Sequence, residues 1–269
     1  MKFAINYSPE AKKLVDRQQI EIDLFKCPDF DRELIKEAEL SKPAYIHFDL
    51  NAGARTVDSV NWKNIDQLLK VTATPYINLH LVAYSEHFPS LAVNTSKSDE
   101  IIKIMEPVIE DIFEVTQKYG KDRVILENVV YRDEKSDMQR AIIDPNVITK
   151  VVEETGCGLL LDIAHAQMTC FYTGEDVYQY LSRFPVNQLK ELHITGIQKK
   201  DGKFRDSMPM SHKDWKLAEW VLQNIKQGMW REPWVASFEY GGVGPIFEWR
   251  TNAEIIREQT PKLYQLVKE

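Results

Sequence analysis

Cysteine is scarce in this sequence, and long uninterrupted hydrophobic runs are missing. The 269 residues contain three cysteines, Cys27, Cys157 and Cys170, which lie far apart and form no C-x-x-C pair. Such cysteines argue against a disulfide framework or a cysteine-based zinc knuckle, and they are typical of a reducing compartment. No stretch approaches roughly 18 uncharged apolar residues, and the N-terminus shows no signal-peptide pattern. We therefore expect a soluble, cytoplasmic protein that does not enter a membrane.

An excess of basic residues is also lacking. The chain carries 34 Lys and Arg against 41 Asp and Glu, a net charge of −7. Surfaces that bind nucleic acid need a basic excess, so nucleic acid is not an expected partner. Hydrophobic residues make up 43%, enough for a large core. Because no linker, repeat or low-complexity tract divides the sequence, we expect one domain over residues 1–269.

Short β-rich runs alternate with amphipathic stretches along the chain. The predicted strands are Lys2–Tyr7, Ile20–Phe25, Ala44–Leu50, Tyr76–Val82, Arg123–Val129, Gly158–Ile163, Leu189–Thr195 and Trp234–Tyr240. The predicted helices are Pro9–Gln18, Asp29–Leu40, Trp62–Lys70, Asp99–Tyr119, Pro145–Thr155, Glu175–Phe184, Asp214–Gln227 and Ala253–Val267. Eight strands, each followed by a helix, indicate an α/β protein with a single (β/α)8 TIM barrel, whose usual length is about 250 residues. A doubly wound open sheet is the alternative.

Polar residues recur near the C-terminal ends of the later predicted strands. Strand side chains alternate between two faces, so the apolar residues of the fourth strand share one face and His80 lies on the other. The same alternation turns Glu127, Glu239 and the pair Glu191 and His193 toward the barrel interior. Active sites of this fold are built at the C-terminal ends of the strands. We therefore expect these polar side chains to converge there.

Buried carboxylates and imidazoles at close quarters need a positive charge among them. Divalent metal ions meet that need, and a His/Asp/Glu set without thiolates suits iron, zinc or manganese. A single histidine is more often a hydrogen-bonded core or surface residue, but the ordered group favours metal. The candidate ligands are His47, His80, Glu127, Asp162, His165, His193, Asp206, His212 and Glu239.

Two histidines are open to a second interpretation. His87 competes with His80 as the fourth-strand ligand; strand alternation favours His80 and leaves His87 in the loop above the site, as an acid–base group or substrate contact. His212 is either a ligand with Asp206 or only the beginning of a helix. The candidate catalytic residues are Glu127, Glu239 and His87.

Three short motifs resemble those of the xylose-isomerase-like divalent-metal TIM barrels. They are Leu126-Glu127-Asn128 followed by Tyr131, Leu160-Leu161-Asp162, and Glu191-Leu192-His193 followed by Gly196. Within that group the chain is most similar to the multinuclear iron oxygenases of methanobactin-type peptide biosynthesis. The spacing of Asp162 and His165 is more similar to that of the endonuclease IV branch. The resemblance implies the TIM-barrel fold and a multinuclear metal centre.

The resemblance implies two or three divalent metal ions, with iron favoured and zinc or manganese as alternatives. The ligands it implies are His47, His80 and Glu127 for the first ion, Glu127, Asp162, His193 and Glu239 for the second, and His165 with Asp206 for the third. Glu127 would bridge the first two ions. Related sequences place a histidine two residues after the aspartate of the third site, where this chain has Met208. The third site therefore departs from the pattern, and a dinuclear centre is the alternative.

The resemblance favours an iron-dependent oxidase or oxygenase that acts on a peptide or small thiol-containing substrate, with the peptide presented by a partner protein. The first alternative is a divalent-metal sugar or sugar-phosphate isomerase or epimerase, in which Glu127 or Glu239 moves a proton. There the glycine-rich turn Gly241–Gly244 would either hold a phosphate or serve only as a tight turn. An endonuclease IV-like phosphodiesterase is disfavoured by the acidic charge. A non-enzymatic metal-binding scaffold is the remaining hypothesis.

Overall fold

The computed structural model describes residues 1–132, 137–200 and 202–269. Its strands are β1 Lys2–Asn6, β2 Leu24–Pro28, β3 Ala44–His47, β4 Asn51–Ala52, β5 Ile77–Leu81, β6 Val124–Glu127, β7 Gly158–Asp162, β8 Leu189–Ile194, β9 Gly196–Lys200, β10 Lys203–Met208 and β11 Val235–Phe238. Its helices are α1 Pro9–Asp16, α2 Arg32–Glu39, α3 Trp62–Val71, α4 Ser98–Tyr119, α5 Pro145–Thr155, α6 Ile163–Thr173, α7 Val177–Leu181, α8 His212–Lys226 and α9 Ala253–Lys268. Within these described ranges, no helix has the length and apolar character needed to cross a bilayer.

The chain divides into two compact units. The terminal unit comprises Met1–His47, Lys63–Pro75 and Lys190–Glu269. The central unit comprises Phe48–Trp62 and Tyr76–Leu189. The organisation of the chain as one domain stays a prediction.

Five parallel strands form the sheet of the terminal unit, in the order β3-β2-β1-β11-β8. A buried cluster on one face of this sheet comprises Ala4, Leu24, Tyr45 and Val235. Side chains two positions apart on a strand share a face. The face that carries this apolar cluster therefore also carries the polar residues two positions further along each strand, nearer its carboxyl end.

Four parallel strands form the sheet of the central unit, in the order β4-β5-β6-β7. Helix α5 occupies the predicted range, because Asp144 accepts the N–H of Asn146 at 2.8 Å and Pro145 supplies the first helical position. The helix ends at Gly156, whose φ of 68° is a left-handed conformation that glycine adopts easily. In the sheet, His80 of β5 lies directly opposite Glu127 of β6.

All eight predicted strands are present, but three segments differ from the prediction. Strand β2 begins at Leu24 rather than Ile20, so its carboxyl end reaches Lys26 and beyond. Helix α6 follows β7 where no helix was predicted, and the predicted helix Glu175–Phe184 is reduced to α7. Strands β9 and β10 form an antiparallel hairpin that the sequence pattern did not predict.

Candidate metal centre

The candidate ligands include one group of donors in each unit. The central set comprises His80, Glu127, Asp162 and His165. The terminal set comprises His47, Glu191, His193 and Glu239. Most members lie near the carboxyl end of a strand of their own unit, whereas Glu191 is the third residue of β8 and His165 lies in the first turn of α6.

His80 is oriented by one backbone carbonyl. Leu50 O accepts the His80 backbone N–H at 2.9 Å and the ring Nδ1 at 3.0 Å. Because a carbonyl only accepts hydrogen bonds, Nδ1 carries the hydrogen, and Nε2 is the nitrogen left to bind a cation or a proton. That Nε2 lies 3.2 Å from Oε2 of Glu127, which is 1% exposed.

His165 repeats this arrangement on the next pair of strands. Its Nδ1 donates to Asn128 O at 2.9 Å, and its Nε2 lies 3.6 Å from Asp162 Oδ2. The other oxygen of Asp162, Oδ1, accepts the His165 backbone N–H at 2.8 Å and caps helix α6. Asp162 is completely buried, so one of its oxygens begins the helix while the second faces the imidazole.

The two imidazole–carboxylate pairs of the central set have the chemistry of metal ligands. A histidine that donates Nδ1–H to a backbone carbonyl and directs Nε2 inward has the usual orientation of a metal ligand. An imidazole lone pair that faces a buried carboxylate needs a positive charge between the two groups, either a proton or a metal ion. Two imidazoles and two carboxylates without a thiolate suit iron, zinc or manganese.

Two buried asparagines hold the backbone beside the central set. Asn78 of β5 accepts the Phe48 N–H at 2.8 Å and donates to Phe48 O at 3.0 Å. Asn128 makes the same two-way contact with the backbone of Asp162. In each case the side-chain amide replaces a peptide group of the strand ladder, so buried backbone groups stay satisfied where the strand ends.

The terminal set is built around His193, which is completely buried. Its Nδ1 lies 3.2 Å from Glu239 Oε1, and its Nε2 lies 2.8 Å from Glu191 Oε1. Glu191 also accepts the hydroxyl of Tyr45 at 3.0 Å. Burial, with the nearby Glu191 carboxylate, raises the pKa of Tyr45, so its hydroxyl remains a donor.

His47 joins this set at the end of β3. Donor atoms of His47, Glu191 and His193 all lie within 4.8 Å of one another, and the two imidazole rings are 5.2 Å apart. These three residues could therefore hold a metal ion. The set also contains a cation of its own, because Lys26 forms an ion pair with Glu239 and its Nζ lies 3.2 Å from His193 Nε2.

Asp206 lies on the β9–β10 hairpin, where it binds an arginine. Arg250 Nη1 donates to Asp206 O at 2.5 Å and lies 3.6 Å from its Oδ1. The guanidinium is buried beside the ring of Phe247, at 4.5 Å, and burial lowers the pKa of Arg250. Asp206 belongs to the terminal unit and His165 to the central unit; their shared role at a third ion stays a prediction.

The other two predicted histidines are placed by local structure. His212 is the first residue of α8, is exposed, and directly follows the N-cap Ser211. His87 ends a short 3-10 turn, with Nε2 3.8 Å from Glu86 Oε1 and its ring perpendicular to that of Tyr84. Their predicted roles as ligand and as acid–base group stay predictions.

Sequence reasoning missed Glu191, a member of the terminal set, and Lys26, which contacts that set. Strand alternation turned Glu191 inward, but the predicted ligand set omitted it. Lys26 was missed because the predicted strand ended at Phe25. With the observed strand Leu24–Pro28, the same alternation places Lys26 on the face of Leu24, and a lone lysine in a buried strand is the signal that could have identified it.

A protein family and several individual proteins are similar to this sequence. The model of the family described as RiPP precursor modification enzyme MbnB/TglH/ChrH matches residues 46–229. A UPF0276 protein of Acaryochloris marina is 22% identical over 205 residues, which cover 73% of this chain. The match spans 66% of that relative, slightly less than two thirds of its length.

Solved structures share the fold over nearly the whole chain. The 3-keto-D-glucoside 4-epimerase of E. coli, in its apo form, has a TM-score of 0.58 at 13% identity and covers 98% of this chain and 99% of its own. A fusion protein of a xylose isomerase-like TIM barrel with a 4-hydroxyphenylpyruvate dioxygenase has a TM-score of 0.54 at 14% identity, over 97% of this chain and 45% of its own. At this identity the similarity shows the fold alone. The chain has the predicted α/β fold, a xylose-isomerase-like TIM barrel.

Proposed function

The chain belongs to the MbnB/TglH/ChrH family of RiPP precursor modification enzymes, and from this premise we propose that it is an iron-dependent oxidase or oxygenase. Its substrate in this proposal is a peptide or a small thiol-containing compound. A partner protein that presents the peptide is part of the same proposal. The proposed metal ligands are those of the central and terminal sets.

The orientation of the two histidines in the central set carries the proposal. His80 and His165 each donate Nδ1–H to a backbone carbonyl, at 3.0 and 2.9 Å, and direct Nε2 toward a buried carboxylate. This orientation is fixed by the fold, so the donors need little rearrangement to take up an ion. Carboxylate ligands such as Glu127 favour an iron ion that can be oxidised.

Bound iron would supply redox chemistry, with dioxygen as the oxidant. In the oxidase form of the proposal, the substrate would lose two electrons and two protons, one of them from its thiol, and one dioxygen would be reduced to hydrogen peroxide. Glu239 is the best placed carboxylate to accept the thiol proton, because its side chain is 16% exposed whereas that of Glu191 is 5% exposed. In this structure Oε1 of Glu239 contacts Lys26 and His193.

The test begins with elemental analysis of protein purified without oxygen, followed by oxygen-electrode measurements with a cysteine-containing peptide as the probe. We expect iron in the purified protein and oxygen uptake that depends on both peptide and iron. Zinc or manganese as the resident metal, with no oxygen uptake after reconstitution with iron, would overturn the oxidase proposal. A chain that binds no metal after reconstitution would overturn the metal centre as well.

A sugar isomerase or epimerase is the second candidate, because the E. coli epimerase shares the fold. A sugar-phosphate substrate is disfavoured by the contacts of the glycine-rich turn after β11. The Gly242 N–H donates to Thr251 Oγ1 at 3.0 Å, and the Gly244 N–H donates to Glu248 Oε1 at 3.0 Å. Both amides already donate within the chain and Glu248 brings a negative charge, and these two features count against a phosphate at this turn. Exchange of solvent deuterium into a panel of sugars would support this candidate over the oxidase.

A further inference from the structure

Lys26 is a buried lysine at the carboxyl end of β2. It is 5% exposed and is the one charged residue of the strand Leu24–Pro28. Its side chain lies on the same face as Leu24, which belongs to the buried apolar cluster. Burial of an ammonium group is costly unless partners compensate the charge. The partners of Lys26 therefore indicate what the residue does.

Two members of the terminal set are among those partners. The Lys26 ammonium forms an ion pair with Glu239, and its Nζ lies 3.2 Å from His193 Nε2. The same Nε2 lies 2.8 Å from Glu191 Oε1, while Nδ1 lies 3.2 Å from Glu239 Oε1. One imidazole is thus placed between two carboxylates, with the ammonium in contact with the ring and with one of them.

The contacts of the ring nitrogens show what the ammonium occupies. A ring nitrogen either carries a hydrogen or accepts one, and an ammonium group only donates, so His193 Nε2 serves either Glu191 as a donor or Lys26 as an acceptor. In both tautomers the ammonium lies beside Nε2 and is paired with the Glu239 carboxylate. That is the position where a metal ion shared by His193 and Glu239 would have to act.

We propose that Lys26 is a resident cation that competes with a metal ion for His193 and Glu239. The inference rests on the proposed function in treating both residues as metal ligands. The ammonium keeps this part of the terminal set compensated without an ion, and an ion that binds there must displace it.

The test compares metal binding by the wild-type chain and by Lys26→Met and Lys26→Gln. Each metal-free protein is titrated with Fe²⁺ under anaerobic conditions and again with Zn²⁺, and bound ions per chain are measured after desalting. We expect both variants to bind one more ion per chain than the wild type, or to bind the last ion at least tenfold more tightly. Lys26→Arg keeps the charge and should show no gain, and Lys36→Met removes an exposed lysine paired with Glu33 and should behave as the wild type.

Thermal unfolding supplies the second readout. Without metal, both uncharged variants should melt below the wild type, because Glu239 loses its cation. Added metal should restore their melting temperatures, because binding to the folded state stabilises it. A purely structural lysine would give the loss of stability without the metal-dependent recovery or the extra ion.

The outcomes separate the two proposals. Equal ion counts and equal affinities in the wild type and Lys26→Gln would overturn the role of Lys26 and leave the metal enzyme intact. Uncharged variants that remain unfolded with metal present would also overturn it, since a competing ion should take over the contacts of the ammonium. Failure of every protein, including the wild type, to bind either metal would instead overturn the proposed function.

Discussion

Asn128 and Asp162 are joined by two hydrogen bonds that run in opposite directions. The Asp162 N–H donates to Asn128 Oδ1 at 2.8 Å, and Asn128 Nδ2 donates to Asp162 O at 2.9 Å. Both residues are buried, with exposures of 1% and 0%. The asparagine side chain therefore fixes the backbone from which Asp162 presents its carboxylate and from which helix α6 begins.

Replacement of Asn128 by alanine should destabilise the protein strongly. Two buried backbone groups of Asp162 would lose their partner, at about 1–3 kcal/mol each, so we expect the free energy of unfolding to fall by about 2–4 kcal/mol. Urea denaturation followed by circular dichroism measures the change. Asn146→Ala is the control, because its exposed side chain binds Asp144 at the surface, and it should cost less than about 0.5 kcal/mol. Equal losses in the two variants would contradict the prediction.

Replacement of His80 or His165 by alanine should reduce the metal content. Each histidine directs Nε2 toward a carboxylate of the central set, so either variant should bind at least one ion fewer per chain or bind it at least tenfold more weakly. Elemental analysis after anaerobic reconstitution measures the content. His212→Ala serves as the control, because that side chain is exposed at the first residue of α8 and should leave the content unchanged. The reverse pattern would assign His212 as a ligand and contradict the prediction.

Replacement of Tyr45 by phenylalanine should test the buried contact with Glu191. The Tyr45 hydroxyl donates to Glu191 at 3.0 Å in the interior, and its loss leaves a buried carboxylate with one donor fewer, at a cost of about 1–3 kcal/mol. Tyr264→Phe is the matched control, since its hydroxyl binds Glu21 at 2.8 Å on the surface, and it should cost less than about 0.5 kcal/mol. Chemical denaturation of both variants gives the comparison. A larger loss in Tyr264→Phe would refute the assignment.

The cysteine thiols should be inert in the folded protein. Burial raises the pKa of Cys157 to about 11 and that of Cys170 to about 12, so little reactive thiolate is present at pH 8. Thiol titration with a chromogenic disulfide should label these residues only after unfolding. In the unfolded chain thiols lose their protons near a pKa of about 8.5, whereas in the folded chain they keep them. The unfolded state then binds fewer protons, and stability should fall as the pH rises above about 9. Rapid labelling of the native protein would contradict this prediction.

The sequence was sufficient for the regular parts of the fold. Helix α5 was predicted at its observed bounds, because an N-cap, an initial proline and a final glycine mark both ends. The strands carrying His80, Glu127 and His193 were predicted within one or two residues, since buried parallel strands form compact apolar runs. The predicted TIM barrel is confirmed by the solved structures that share it.

Three segments lacked a readable pattern. Helix α6 is buried over much of its circumference, so its apolar residues show little helical periodicity, and its N-cap Asp162 was interpreted only as a ligand. The β9–β10 hairpin is rich in lysine and arginine and has few of the apolar residues that identify strands. The apolar residues Ile20 and Ile22 lie before β2. Because they were included in the predicted strand, that strand ended at Phe25, before Lys26.

The residues that hold the strand ends at Phe48 and Asp162 differ from the residues proposed to bind metal. The backbone groups of Phe48 and Asp162 are bound by the amide side chains of Asn78 and Asn128, not by the carboxylate of Glu127. We therefore expect a substitution of Glu127 to leave these backbone hydrogen bonds in place. A fold whose strand ends are held in this way can host different reactions, because the residues that carry the chemistry are separate from those that hold the backbone.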